Sequence, residues 1–172
     1  APYYRAWSEI LVRHAEASSK PDAERIGALR ASIEVFRASG ARLRLPYYLG
    51  LLADVCCRAG RAAEGLMAVD EGLAEARSNS ERWWDAELHR LRGDLRLADG
   101  AAPEEAAVAY RRSGEIARSF GAKALELRAA TSLARLQRRP GPLAELIRTF
   151  REGADTPDQR AARALLTELT VG

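Results

Sequence analysis

Lysine, histidine and cysteine are all scarce in this chain, and no stretch stays apolar for long. Only Lys20 and Lys123 interrupt an otherwise all-arginine set of 27 basic residues. The two histidines, His14 and His89, lie far apart and belong to no H-E-x-x-H or Cys/His cluster, so no metal is expected. Cys56 and Cys57 are adjacent, and neighbouring helical positions point about 100° apart, which suits them poorly for bridging each other. A reduced, cytoplasmic setting is the simple reading. No run approaches the roughly 18 apolar residues of a membrane span, and no signal peptide is visible, so no membrane partner is expected. Aromatic residues make up 6% of the chain and β-branched ones are sparse, which argues against a sheet.

Neither sign of charge dominates. The 27 basic residues face 24 acidic ones interspersed in the same segments, for a net charge of +3. Mixed signs of this kind mark a solvated helical surface rather than a nucleic-acid footprint. The arginines Arg111, Arg112, Arg135, Arg138 and Arg139 lack the interleaved aromatics that stack bases, so no nucleic acid is expected. No G-x-x-x-x-G-K-[ST] loop occurs. No carboxylate pair stands in a polar cluster on an otherwise apolar face, so neither catalysis nor a cofactor is expected. The chain begins Ala-Pro-Tyr-Tyr rather than with Met, which suggests a fragment of something longer.

What is abundant is helix-forming: Ala, Leu, Arg and Glu, with apolar residues three and four apart. The clearest case is ERWWDAELHRLRGDLRLADG, residues Glu81 to Gly100, with Trp84, Leu88, Leu91 and Leu95 on one side and Gly93 leaving room for a neighbouring backbone. Ser78 and Glu81 have capping-box form, so this helix is expected to begin there. Gly100 stops it and Pro103 opens the next, with Ala106, Tyr110 and Ile116 inward. Similar stripes are Trp7-Ile10-Leu11-Ala15, Ile26-Leu29-Ile33-Phe36 behind a turn with Pro21 near the first helical position, Tyr48-Leu51-Leu52-Val55, Leu66-Val69-Leu73 and Leu125-Ala129-Leu133-Leu136. A shorter helix from Pro142 to about Arg151 follows, and Thr156-Pro157-Asp158-Gln159 caps a last, one-sided helix carrying Ala162, Leu165, Leu166 and Leu169.

The punctuation is periodic. Gly60, Gly100 and Gly141 end the first helix of successive pairs at spacings of 40 and 41, and Gly40, Ser80 and Gly121 separate the pairs at the same spacings. Seven positions before each terminating glycine stands a small residue: Ala53, Gly93 and Ala134. In the first pair Lys20 occupies the glycine slot and Arg13 the small-residue slot, so that unit is divergent or capping. Two helices repeated at this period mean an α-solenoid, in which each hairpin needs its neighbours to bury its core. Hairpins are expected over residues 3–39, 41–78, 80–120 and 121–152, with a capping helix over 157–169, as one domain of 172 residues.

The small residue, the glycine seven later and Tyr110 in the second helix follow tetratricopeptide (TPR) logic lengthened from about 34 residues. More specifically, GARLRLPYYLGLLAD, ERWWDAELHRLRGDL, GAKALELRAATSLARL and EGADTPDQRAARALLTEL resemble the C-terminal TPR-like region of bacterial multidomain signalling proteins. Those proteins couple a nucleotide-cyclase or DNA-binding domain to a STAND-type ATPase. The resemblance runs from about Phe36 to Leu169 and departs at Arg139-Pro140-Gly141-Pro142. It implies an all-α, TPR-like right-handed superhelix of about four hairpins plus a capping helix. It also implies a non-catalytic interaction and regulatory module that senses a protein, a peptide or other domains of the same chain. A small-molecule inducer held in the concave groove is the alternative, and a structural module that forms homodimers is the third reading.

Groove candidates come from helical geometry. Trp84 shares the core stripe, which turns Trp83 towards Glu87, Arg90 and Asp94, either as a partner anchor or as an edge tryptophan packed on the preceding helix. Tyr47, Asp54 and Arg58 hold the equivalent places one unit earlier, and Arg128, Arg135 and Arg139 one unit later. The groove should then grow basic towards its C-terminal end and suit acidic peptides.

Overall fold

The computed structural model describes residues 2–150 and 156–171, with side chains from Tyr4 onward. Among these residues the chain is all helical: α1 (Pro2–Ser19), α2 (Ala23–Ala38), α3 (Leu45–Arg58), α4 (Ala62–Ser78), α5 (Asp85–Ala98), α6 (Pro103–Ser119), α7 (Lys123–Gln137), α8 (Leu143–Arg148) and α9 (Pro157–Val171). None is long and apolar enough to cross a membrane. The helix planned to end near Arg151 stops at Arg148, and Arg151 itself lies outside the described residues.

Helix backbones meet only neighbours one or two along the chain. Each helix packs on the next, with α8 followed by α9, and the odd-numbered helices also touch in sequence: α1 with α3, α3 with α5, α5 with α7, α7 with α9. The even-numbered helices α2, α4 and α6 have no such row of backbone contacts. Long charged side chains span that gap instead, as where Arg30 and Arg37 on α2 reach Glu71 on α4 at 3.3 and 3.2 Å. The core follows the inner row. Ile26, Leu29, Ile33 and Phe36 are buried as their spacing predicts, and so are Tyr48, Leu52 and Val55, then Val69, Leu73, Leu88, Leu91 and Leu95. Small residues let the helices close on one another: a Cβ on Gly93 would stand 2.5 Å from the Tyr110 ring.

Helix starts depart from expectation where a capping pattern is satisfied elsewhere. Ser78 is the last residue of α4 and its hydroxyl donates to the Glu75 carbonyl, while Glu81 accepts the Arg44 backbone N–H at 2.8 Å. The capping box is therefore not formed, and α5 starts at Asp85. Likewise Pro21 precedes α2, whose N-cap is Asp22, accepting from the Arg25 backbone at 3.0 Å. Gly141 does not terminate α7: Arg138 takes the left-handed turn at φ 52° and the Arg139 N–H returns to the Ala134 carbonyl. On α1, Leu11 and Ala15 are exposed, and burial runs through Ile10 and Ala17. On α7 the expected stripe is only half-buried apart from Ala129, because Leu127 and Ala134 form a second apolar face against α8 and α9. In the slot that small residues hold in later units, Arg13 is paired with Glu9 and Glu16 along its own helix.

One half-buried group makes the fold sensitive to acid. Burial, reinforced by Arg92, Arg112 and Arg82 against the weaker pull of Asp85, holds the His89 imidazole down from 6.5 to about 4. The unfolded chain binds that proton first as pH falls, so protons favour unfolding between those two values. The contribution is fully present above the unfolded value and is lost as pH falls towards the folded one, by about 1 kcal/mol between about pH 7 and about pH 5 once solvent screening of a partly exposed ring is allowed for. His14, also held down by burial, adds in the same direction. Urea unfolding at the two pH values should show the loss in the wild type and a clearly smaller one in His89→Gln.

Candidate interaction groove

The odd-numbered helices share one open groove of about 510 Å3. Its walls take His14 from α1, Tyr47, Gly50, Leu51 and Asp54 from α3, Glu87, Arg90 and Leu91 from α5, Arg128, Thr131, Ser132 and Arg135 from α7, and Asp158 and Ala161 from α9. Trp84, the residue before α5, lies across it. Helical spacing explains why: residues three, four and seven apart face one way, and the contacts between successive odd helices line those faces up.

Six of the nine sequence-derived candidates therefore come together: Tyr47, Asp54, Glu87, Arg90, Arg128 and Arg135. Arg58 is drawn aside, donating to Asp54 at 3.0 Å and to the Ser18 carbonyl and hydroxyl of α1 at 3.1 Å each. Asp94 lies in an adjoining recess with Tyr110, Ser132 and Arg135, where it accepts the Tyr110 hydroxyl at 2.6 Å. Trp83 is not in the groove. Because α5 begins at Asp85, both tryptophans precede it and the 100° rule of a regular helix does not apply. Trp84 faces the groove and packs on Gly50, where a Cβ would stand 2.7 Å from its indole nitrogen. Trp83, outside the groove lining, stacks against Tyr47, centroids 5.6 Å apart at 29°.

The charges are largely satisfied within the protein. Arg90 donates to both Glu87 oxygens at 3.0 and 2.8 Å and to Asp94. Burial opposes its charge, and the hydrogen bonds and charges of Glu87 and Asp94 overcome that and hold the guanidinium above its ordinary range. Arg128 bridges three inner helices, donating to Asp158 at 2.7 Å and to Glu87 at 3.4 Å. The positive charge expected towards the C-terminal end is thus cancelled at Arg128, since Asp158 comes from a helix thirty residues further on. Arg135 is the exception on the wall, with no carboxylate in ion-pair range among the described residues, and Arg139 lies exposed beyond the end of α7. Sequence reasoning missed Trp84, Gly50, Thr131, Ser132 and Asp158. The forty-residue repeat carried a signal for the first, because adding 40 to the start of α3 at Leu45 gives Asp85.

The described residues contain no group of three or more His, Cys, Asp or Glu side chains placed to hold a metal ion. Cys56 is buried, and burial pushes its thiol up to about 11, well away from the thiolate form.

No protein-family model matches the chain. Over 104 residues it is 35% identical to an uncharacterized protein of Rhizobium meliloti (strain 1021), a match covering 60% of this chain and 10% of that protein. The chain thus spans about a tenth of the length of the curated relative it matches.

Proposed function

We propose that this chain is a TPR-like solenoid acting as a non-catalytic protein-interaction and regulatory module of a larger cytoplasmic signalling protein. The observation that carries this reading is the groove itself, a surface to which five successive odd-numbered helix segments each contribute. A row of helices that touch only near neighbours leaves such a face open along its length, and repeat arrays bind extended partners there. Tyr47, Leu51 and Trp84 supply apolar contact at one part of the groove, and Arg135 supplies at another a cation with no ion-pair partner among the described residues. A partner segment with an apolar side chain and, further along, a carboxylate would satisfy both. The large difference in length between the chain and its Rhizobium relative supports a module embedded in a multidomain protein. Resemblance to the TPR-like region of cyclase- or DNA-binding regulators with a STAND-type ATPase supplies the signalling context. Binding would bias how neighbouring domains pack.

Arg135→Glu and Ala161→Trp test this cleanly, because both positions are exposed on the groove wall and neither side chain supports the core. Immobilised wild-type chain should retain a partner from a lysate of its source cells. Both variants should lose most of it, while Val35→Ser, exposed on α2 and outside the groove, should not. Equal capture by all four proteins would sink the groove reading. Hydrolysis of ATP, or formation of a cyclic nucleotide, by the purified chain would overturn the non-catalytic assignment.

A small-molecule inducer is the second reading, favoured by volume alone, since 510 Å3 falls within the roughly 300–1,000 Å3 of ligand pockets. It predicts a rise in Tm with a small solute that Ala161→Trp abolishes.

A further inference from the structure

Three connectors leave large apolar side chains in water on the same edge of the molecule. Leu43 precedes α3, Trp83 precedes α5 and Phe120 follows α6, and together they border a shallow recess of about 710 Å3 with Arg42, Glu81 and Arg82. Leu43 and Phe120 are 61% and 60% exposed, so neither contributes much to the core. Isolated apolar residues at a surface are ordinary, but three converging from segments about forty residues apart are not.

The central ring is held in place. The Trp83 indole N–H donates to Glu81 at 2.9 Å, and the same carboxylate accepts the Arg44 backbone N–H at 2.8 Å. With Tyr47 stacked behind it, Trp83 has little rotamer freedom to lose on binding. The charges around the recess are arranged asymmetrically. In the Arg82–Asp85 pair the arginine side chain is 53% exposed and the aspartate 4%. Arg42 over Glu75 follows the same order, with the carboxylate inside and the guanidinium in water. Arg44 adds an exposed cation with no carboxylate partner among the described residues. What this edge shows to solvent is therefore an apolar recess rimmed by positive charge.

We propose that this edge is a second docking surface, taking an acidic segment with large apolar side chains from a partner protein. The recess, bordered by Arg42, Glu81 and Arg82 as well as by apolar groups, favours a peptide over a bilayer. The Glu81 carboxylate in its lining, hydrogen-bonded to two N–H groups, tolerates a polar backbone better than lipid tails. The surface is distinct from the inner groove, so Arg135→Glu and Ala161→Trp leave it unchanged.

The test uses the 172-residue chain and a short fluorescein-labelled peptide in which Asp and Glu alternate with Leu and Phe. Its counterpart with lysine in place of each acid serves as control. Wild-type chain should bind the acidic peptide and bind the lysine peptide at least about tenfold more weakly. Leu43→Ser combined with Phe120→Ser should weaken the acidic peptide at least about tenfold with Tm nearly unchanged, because both residues are exposed. Arg42→Gln should weaken it about threefold and flatten its salt dependence. Equal affinity for the two peptides would overturn the proposal, and so would no effect of the double variant. Attachment to phosphatidylserine vesicles, or dimerisation by sedimentation velocity, in place of peptide binding and dependent on Leu43 and Phe120, would also overturn it by naming a different occupant.

Discussion

Arg90→Met should lower the unfolding free energy by about 3 kcal/mol, the loss expected when one partner of a buried ion pair is removed and the other stays behind. Glu87 is buried and relies on Arg90 for two hydrogen bonds; its other contact, Arg128, is at 3.4 Å and is shared with Asp158. Methionine keeps much of the packing of the arginine stem but provides no donor, so the carboxylates of Glu87 and Asp94 would lose their shared counter-charge. Glu87→Gln removes the charge and retains an acceptor, and should be milder. Combined with Arg90→Met it should recover on the order of 1–2 kcal/mol relative to additivity, as residues in one network do. Urea unfolding of the four proteins measures the cycle. A change below about 0.5 kcal/mol in Arg90→Met would mean that the network is solvated and carries no weight. The same reasoning makes Arg90 and Glu87 poor probes of binding, because disturbing them disturbs the walls of the groove.

Gly93→Ala should destabilise by about 2 kcal/mol even though alanine is the better helix former. The added Cβ would lie 2.5, 2.8 and 3.0 Å from three atoms of the Tyr110 ring. That ring is rigid, buried, and anchored by its hydroxyl to Asp94, so relief requires α5 and α6 to move apart. Gly27→Ala is the matched control. Gly27 lies inside α2 with nothing within 4 Å of the new atom, so there alanine should stabilise by about 0.5–1 kcal/mol. Opposite signs for one chemical change, read from urea midpoints, isolate close approach from helix propensity. If both substitutions stabilise, α5 and α6 are not in the contact described.

Much of this was legible beforehand, and the failures share a cause. Apolar spacing located every helix, since a stripe at three and four residues is a local property that survives any arrangement of neighbours. Gly93 is legible as a contact point because a missing side chain inside a helix invites a neighbour, and an added Cβ there would crowd Tyr110; Gly65 and Gly72 meet Leu95 and Leu88 in the same way. The start of α5 was misread because Ser78 and Glu81 fit a capping box, and both found other partners, one in its own helix and one in the α2–α3 connector. That error moved the helical frame: Trp84 packs on the core and lines the groove as well, while Trp83 is the edge tryptophan, stacked on Tyr47 of α3. The end of α7 was misread because Gly141 fits the period, whereas Arg138 accepts a left-handed turn that glycine usually provides.

The sequence alone determined an all-α chain built from hairpins at a beat of about forty residues, and the set of side chains able to face inward. Propensity, capping and periodicity act within a few residues, so they are written locally. Tertiary structure decided which charges cancel and which apolar residues meet. Arg128 finds Asp158 thirty positions away, and Leu43, Trp83 and Phe120 converge only when three connectors are brought side by side. Long-range juxtaposition depends on how each helix is rotated against the next, and close packing of whole faces sets that rotation, not any short motif.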